Sequence, residues 1–293
     1  MTTAIWGSLV LAAASALALN WAYFQQHAQA AQLPPLSVRR PVASLRLLFS
    51  NLSWLSGFLV GIGGWVLYVA ALALGPLSLV QATSAGGIGI LALLVRRLGG
   101  VELSGREWAG TALAVVGLVL LGVSLAGQAG TSHGSSGSAP DVAIWMAASA
   151  LLAFLFAGPL AARLAAGAGF GVAAGLCYAA GDVGTKAAVG GGARLAFIPA
   201  LLVAHGLGFV FLQLGFQRGG ALATAGVATL FTNAIPIAAG MIIFGEHVPA
   251  GPLGPVRLLA FVAVVLGAAL LARPGAPAPG PEPLAAATPA PVP

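Results

Sequence analysis

Asp182 and Lys186 stand four residues apart in a long apolar run, so on a helix they share one face. A charge at bilayer depth costs about 2.5 to 3.5 kcal/mol on insertion scales, so it needs a partner or a role. Two arrangements fit. In one the pair neutralises itself while Lys186 snorkels to the surface; in the other Asp182 takes a proton or a cation and Lys186 is the displaced counter-charge. A second group is neutral and rich in oxygen: Gln81, Thr83 and Ser84 in one run, and Thr229, Thr232 and Asn233 ahead of Pro236 in another. Where these runs meet they would line a polar cavity, although helix-to-helix hydrogen bonding, at about 0.6 kcal/mol on average, accounts for them equally well. Pro236 removes a backbone donor and frees a carbonyl, as in the interrupted helices that line membrane binding sites. His205 and Gln213 complete the intramembrane polar set; a histidine there either bonds a neighbouring helix or titrates near neutral pH. Asn20 reads as glue between helices.

Catalysis finds no support in these residues. An intramembrane aspartyl protease needs two buried aspartates, and Asp182 has no second. Ser135 and Ser136 lie in a Gly-Ser linker, and no His-Glu-x-x-His motif occurs. Cys177 is the only cysteine, which excludes an internal disulfide and a thiolate cluster. No nucleotide-binding motif is present and no cofactor is expected.

The elements that carry these residues follow from composition. Of 293 residues, 59% are hydrophobic and 6% charged, against roughly 25% charged in soluble domains, and the mean hydropathy is +1.00. The chain belongs in a bilayer. Nine apolar runs, Thr3 to Phe24, Trp54 to Leu74, Leu77 to Val95, Trp108 to Leu125, Val142 to Ala162, Gly167 to Val189, Leu195 to Phe216, Ala221 to Phe244 and Val256 to Ala272, are each long enough to span it as a helix. They are continuous instead of alternating, which selects helices over a barrel. The expected fold is therefore an all-α integral membrane protein.

Net charge is +6, yet the basic residues are scattered between spans and form no nucleic-acid surface. With the amino terminus outside, Arg39, Arg40, Arg46, Arg96, Arg97, Arg106, Arg163, Arg218 and Arg273 fall inside and only Lys186, Arg194 and Arg257 outside. That is the positive-inside bias, with the carboxyl terminus cytoplasmic, and it suits a multi-pass protein of the plasma membrane. Ala28-Gln29-Ala30 has the form of a signal cleavage site, but no positive charge precedes the apolar run, and Trp21 and Tyr23 suit a retained helix. Between Leu33 and Ser53, arginines mixed with leucines suggest a short helix lying on the membrane surface.

A shift of 144 residues sets Gly75 on Gly219 and Glu102 on Glu246, and Gly117 falls on Gly267 after a six-residue insertion. Residues 1–126 then form a first repeat and 163–273 a second. Between them lie a flexible linker, 127–141, and a central helix, 142–162; a disordered Pro- and Ala-rich tail, 274–293, closes the chain. The five helices that precede the second copy would make the two copies inverted, with a site near the midplane between them. Glu102 and Glu246, at matched helix exits, suit a structural part such as fixing the start of the next helix.

This layout resembles the drug/metabolite transporter superfamily (EamA-like), whose repeats end a helix on Gly-Glu, as Gly245-Glu246 does; Val101-Glu102 is the weaker copy. Nine spans with a lone fifth, the Ala70 to Val80 run, Gly158-Pro159 and Lys186 closing span six resemble the NIPA-type magnesium transporter branch. The resemblance implies alternating access for a small-molecule or cation substrate; a homodimer is compatible with it. Gly61, Ile62, Gly63 and Gly64 stand where that branch commonly carries an acidic residue. A scaffold whose polar groups only join helices remains the alternative.

Overall fold

The computed structural model describes residues 3–37, 40–74, 80, 83–84, 87–125, 137–189, 191–245 and 251–272. Gln81, Glu246, most of the linker and the tail 274–293 lie outside the described residues. Among the described residues ten α-helices run in the order α1 (Thr3–Ala30), α2 (Pro41–Ser50), α3 (Leu52–Leu74), α4 (Gly87–Arg97), α5 (Gly105–Leu125), α6 (Ala139–Ala157), α7 (Ala168–Val189), α8 (Ile198–Phe216), α9 (Val227–Ile242) and α10 (Leu253–Ala272). Among the described residues there is no strand.

Among the described residues six segments are long and apolar enough to cross a membrane: Trp6–Ala30, Leu52–Ala71, Ala139–Ala157, Gly192–Phe216, Leu222–Ile242 and Leu253–Ala272. α5 and α7, at 21 and 22 residues, have the length to join them. Span three is described only in part. The short helix α2 lies where a surface helix was expected, with Val42, Leu45 and Phe49 exposed and Leu48 buried.

Helix direction follows from the contacts. Ser8 meets Ala71, Ser15 meets Gly64 and Gln25 meets Ser53, so α1 and α3 are antiparallel. Gly184 against Leu201 and Gly208 against Tyr178 make α7 and α8 antiparallel too. Neighbours recur between the halves. α1 packs on α3 as α7 packs on α8, α1 touches α4 as α7 touches α9, and α4 touches α5 as α9 touches α10. α5 and α10 join the halves through a glycine seam. A Cβ on Gly117 would lie 2.9 Å from both the Ala260 carbonyl oxygen and the Val264 nitrogen; a Cβ on Gly267 would lie 2.9 Å from both the Gly110 carbonyl oxygen and the Ala114 nitrogen. With Gly117 set on Gly267, Gly110 falls on Ala260 and Ala114 on Val264, so the two contacts are reciprocal.

The start of α5 is held by a capping box. Ser104 N–H and Oγ–H both donate to Glu107 Oε2 at 2.8 Å, and Glu107 N–H donates back to Ser104 Oγ at 3.3 Å. Glu102 is exposed in the preceding loop, so the expected fixing of the helix start falls to Glu107.

The core divides along its length. One continuous cluster fills the end where α1 and α8 finish, from Ala30, Trp54 and Val95 to Phe216, Leu230 and Leu271. Toward the opposite end two smaller clusters stand apart. One joins α6, α7, α8 and α9 through Met146, Val183, Ala204 and Ala239; the other joins α1 and α3 through Ala12 and Ala71, with Val80.

Candidate functional site

Asp182 stands where the core divides, between Ala180 and Val183 of the smaller α6–α9 cluster. Its side chain is 11% exposed and Oδ1 lies 3.7 Å from Nε2 of His205, whose other ring nitrogen, Nδ1, is 2.9 Å from the Leu201 carbonyl oxygen. That second contact turns the ring toward Asp182 and makes Nδ1 the donor, leaving Nε2 facing the carboxylate. Tyr178 precedes Asp182 by one turn of α7 and meets the His205 ring edge-on, with centroids 5.9 Å apart. Tyr23 of α1 lies within electrostatic reach of both Asp182 and Tyr178. α7 and α8 thus bring one carboxylate, one imidazole and one phenol together. Among the described residues no three His, Cys, Asp or Glu side chains gather, so the site is no closed metal cage.

Gly181 makes this possible. A Cβ there would collide with the His205 ring. Gly181→Ala should therefore swing the imidazole away from Asp182 and reduce activity about tenfold while the protein still folds, since the ring is the movable partner. An activity assay beside a melting curve would check this, and unchanged activity would remove His205 from the site.

The other predicted residues divide. The Lys186 ammonium sits 4.4 Å from the centroid of the Phe244 ring. Thr229 Oγ1 donates to the Ala225 carbonyl at 2.8 Å and Asn233 Nδ2 to the Thr229 carbonyl at 2.7 Å, both inside their own stretch of helix. Thr83, Ser84 and Thr232 are half-buried. Spans three and eight meet through Ile88 and Gly226, 3.5 Å from a Cβ built on the glycine. α9 is helical straight through Pro236 instead of broken there. The irregularity comes earlier, in a π-helical turn at Leu222–Gly226. Within it Thr224 fills a socket made by Gly167, Gly171 and Gly215 and donates to the Gly215 carbonyl at 3.2 Å.

Gln213 has a role that its type alone did not reveal. It is 2% exposed, accepts from Trp54 Nε1 at 3.0 Å and donates to Gln26 Oε1 at 2.7 Å, so one amide ties α8 to α3 and α1. His27 Nε2 meets the Gly219 carbonyl at 3.1 Å beside it. Trp54 stacks on Phe58 and meets Phe49 and Phe209 at centroid distances of 5.3 to 6.0 Å. Arg257, expected as an outer loop charge, is 3% exposed. It donates to Ser124 Oγ at 3.3 Å, to the Ser124 carbonyl at 3.1 Å and to Met241 Sδ at 3.2 Å. The carbonyl end of α5 suits a cation. Nothing in the local sequence signalled that burial, because Arg257 opens its span as a surface arginine would.

A groove of about 420 Å³ between α6, α7 and α8 is lined by apolar groups such as Met146, Val203 and Leu207. It suits an acyl chain.

Fold and site together define a multi-pass helical membrane protein with a largely enclosed carboxylate inside its bundle. The chain is 27% identical over 289 residues, covering 91% of itself and 82% of the relative, to a protein of Arabidopsis thaliana described as "Probable magnesium transporter NIPA9". No family model matches the chain, and no solved structure matches it.

Proposed function

We propose that this chain is a carrier that moves a small cation across a membrane, with Asp182 as the charged group that receives it. The observation that carries the reading is the Asp182 carboxylate, held beside His205 within the bundle at the level where the core divides. Magnesium is the first candidate cargo, since it is the ion in the description of the Arabidopsis relative. A magnesium ion keeps several waters and takes one or two carboxylates instead of a full protein cage. A single carboxylate with phenol and imidazole neighbours is compatible with that demand. The rings favour a second reading, an organic ammonium moved by proton exchange, because aromatic faces attract weakly hydrated cations.

The mechanism we propose is alternating access between two inverted copies in nine spans. The recurring helix contacts and the reciprocal α5–α10 seam support the copies. The charges support an orientation in the plasma membrane. Arg40, Arg46, Arg96, Arg97, Arg106, Arg163 and Arg218 lie at the end with the continuous core, which becomes the cytoplasmic end. The bundle is then shut inside by the Trp54–Gln213–Gln26 chain and parted outside.

Gln213→Leu should open that inner closure. It leaves the Trp54 donor and the Gln26 acceptor buried without partners, at about 1 to 3 kcal/mol each. A closed state destabilised by that amount would lose its majority, and the native Cys177 thiol, buried in the same core cluster as Trp54, should label at least about tenfold faster in this background. Equal labelling would remove the chain as a closure.

The reading is tested by uptake into proteoliposomes. Saturable magnesium entry above protein-free vesicles supports the first cargo; proton movement that appears only when an organic ammonium is added selects the second. Neither signal would overturn the carrier and leave a scaffold.

A further inference from the structure

Asn20 is 3% exposed and its Nδ2 donates to the Ala16 carbonyl at 2.8 Å. That bond fixes the amide, because exchanging its nitrogen and oxygen would set two acceptors face to face. Oδ1 is left buried with no partner. The amide lies so close to Gly87 of α4 that a Cβ there would collide with it. Ser84 precedes Gly87 by three residues, which cannot stretch beyond about 11 Å, and its Oγ is buried and unpartnered as well. Two such oxygens each cost about 1 to 3 kcal/mol. A protein that keeps both has a use for them or fills them with water.

We infer that Asn20 Oδ1 and Ser84 Oγ are a second pair of oxygens for the cation cargo, an inference that rests on the carrier reading above. The amide oxygen accepts and cannot donate, so whatever meets it is a cation or a hydrogen-bond donor. Neutral amide and hydroxyl oxygens are hard ligands of the kind that magnesium and its bound waters accept. The place is right as well: Tyr23 follows Asn20 by three residues on the same face of α1 and is in electrostatic reach of Asp182. A cation passing Asp182 meets these oxygens next, on the α1 and span-three side of the bundle.

The test is magnesium titration of the detergent-purified full chain by calorimetry, for wild type, Asp182→Asn, Asn20→Leu and Ser84→Ala, with melting temperatures of the ion-free proteins. Asn20→Leu and Ser84→Ala should each weaken magnesium binding about tenfold, equivalent to ~1.4 kcal/mol. Their ion-free melting temperatures should hold or rise, because each removes an unpaired acceptor. Wild-type binding in both, with loss in Asp182→Asn, would overturn this inference alone and leave the oxygens to water. No magnesium binding by wild type would overturn magnesium as cargo and this inference with it. Should Asn20→Leu fail to fold, the smaller Ser84→Ala change decides.

Discussion

Asp182→Asn should lower cation uptake at least about a hundredfold while the protein still folds. A cation about 4 Å from a carboxylate gains ~4 kcal/mol per unit charge at an effective dielectric of 20, and ~2.7 kcal/mol already corresponds to a hundredfold. The asparagine keeps the shape and both heavy-atom positions, so the Leu201 bond that orients His205 is untouched. Stability should fall by at most about 3 to 5 kcal/mol, the cost of removing one partner from a buried ion pair. Uptake and thermal melting measured on the same preparation separate the cases. Loss of folding together with flux would make Asp182 a structural anchor, and retained flux would place the cargo elsewhere.

Gly117→Val and Gly267→Val should each destabilise the bundle by about 3 kcal/mol or more. The first added carbon would stand 2.9 Å from backbone atoms of the facing helix. Backbone cannot rotate aside as a side chain can. Either α5 and α10 separate along their length or the valine is strained, and overpacking of this kind costs about 1 to 3 kcal/mol before the two methyl groups are counted. Gly206 is the control, since nothing lies within 4 Å of a Cβ built on it, and Gly206→Val should be nearly neutral. The reciprocal contacts make a sharper demand: the two seam variants should match within about 1 kcal/mol. Melting temperatures in one detergent would check it, and a lopsided pair would argue against two copies sharing one seam.

Much of this was legible beforehand. Apolar length alone marks the membrane helices, because the bilayer demands it whatever the packing. The polar residues inside the spans are equally visible. Their partners are not. Asp182 and Lys186 share a helix and invite pairing, and His205 also reaches the carboxylate, from α8, a contact set by how two helices cross at Gly181. Periodicity within one helix carries no information about that register. Thr229 and Asn233 were readable as cavity-lining or as glue; both bond back to carbonyls one turn earlier, a choice fixed by rotamer. Ser104-x-x-Glu107 carries a helix-start signature in its own residue types, independent of the repeat shift that sets Glu102 on Glu246. Gln213 and Arg257 show the other limit: the same side chains would sit unremarked at a surface, and only burial gives them weight.

The end of the first helix carries a consequence for how the chain is made. Beyond Ala30 the backbone has no helix to complete its bonds. Gln217 supplies them instead, donating to the carbonyls of Ala30, Leu33 and Pro34 and accepting from the Leu36 N–H at 2.8 Å, across 181 to 187 residues of chain. Until the ribosome has delivered Gln217, the Ala30 carbonyl keeps its bond from the Leu33 N–H, but the Leu33 and Pro34 carbonyls and the Leu36 N–H lack this partner, and water or lipid headgroups must serve. The start of the protein is therefore finished late in synthesis. A chain stopped short of Gln217 should show the segment after Ala30 open to protease, and extension past that residue should close it.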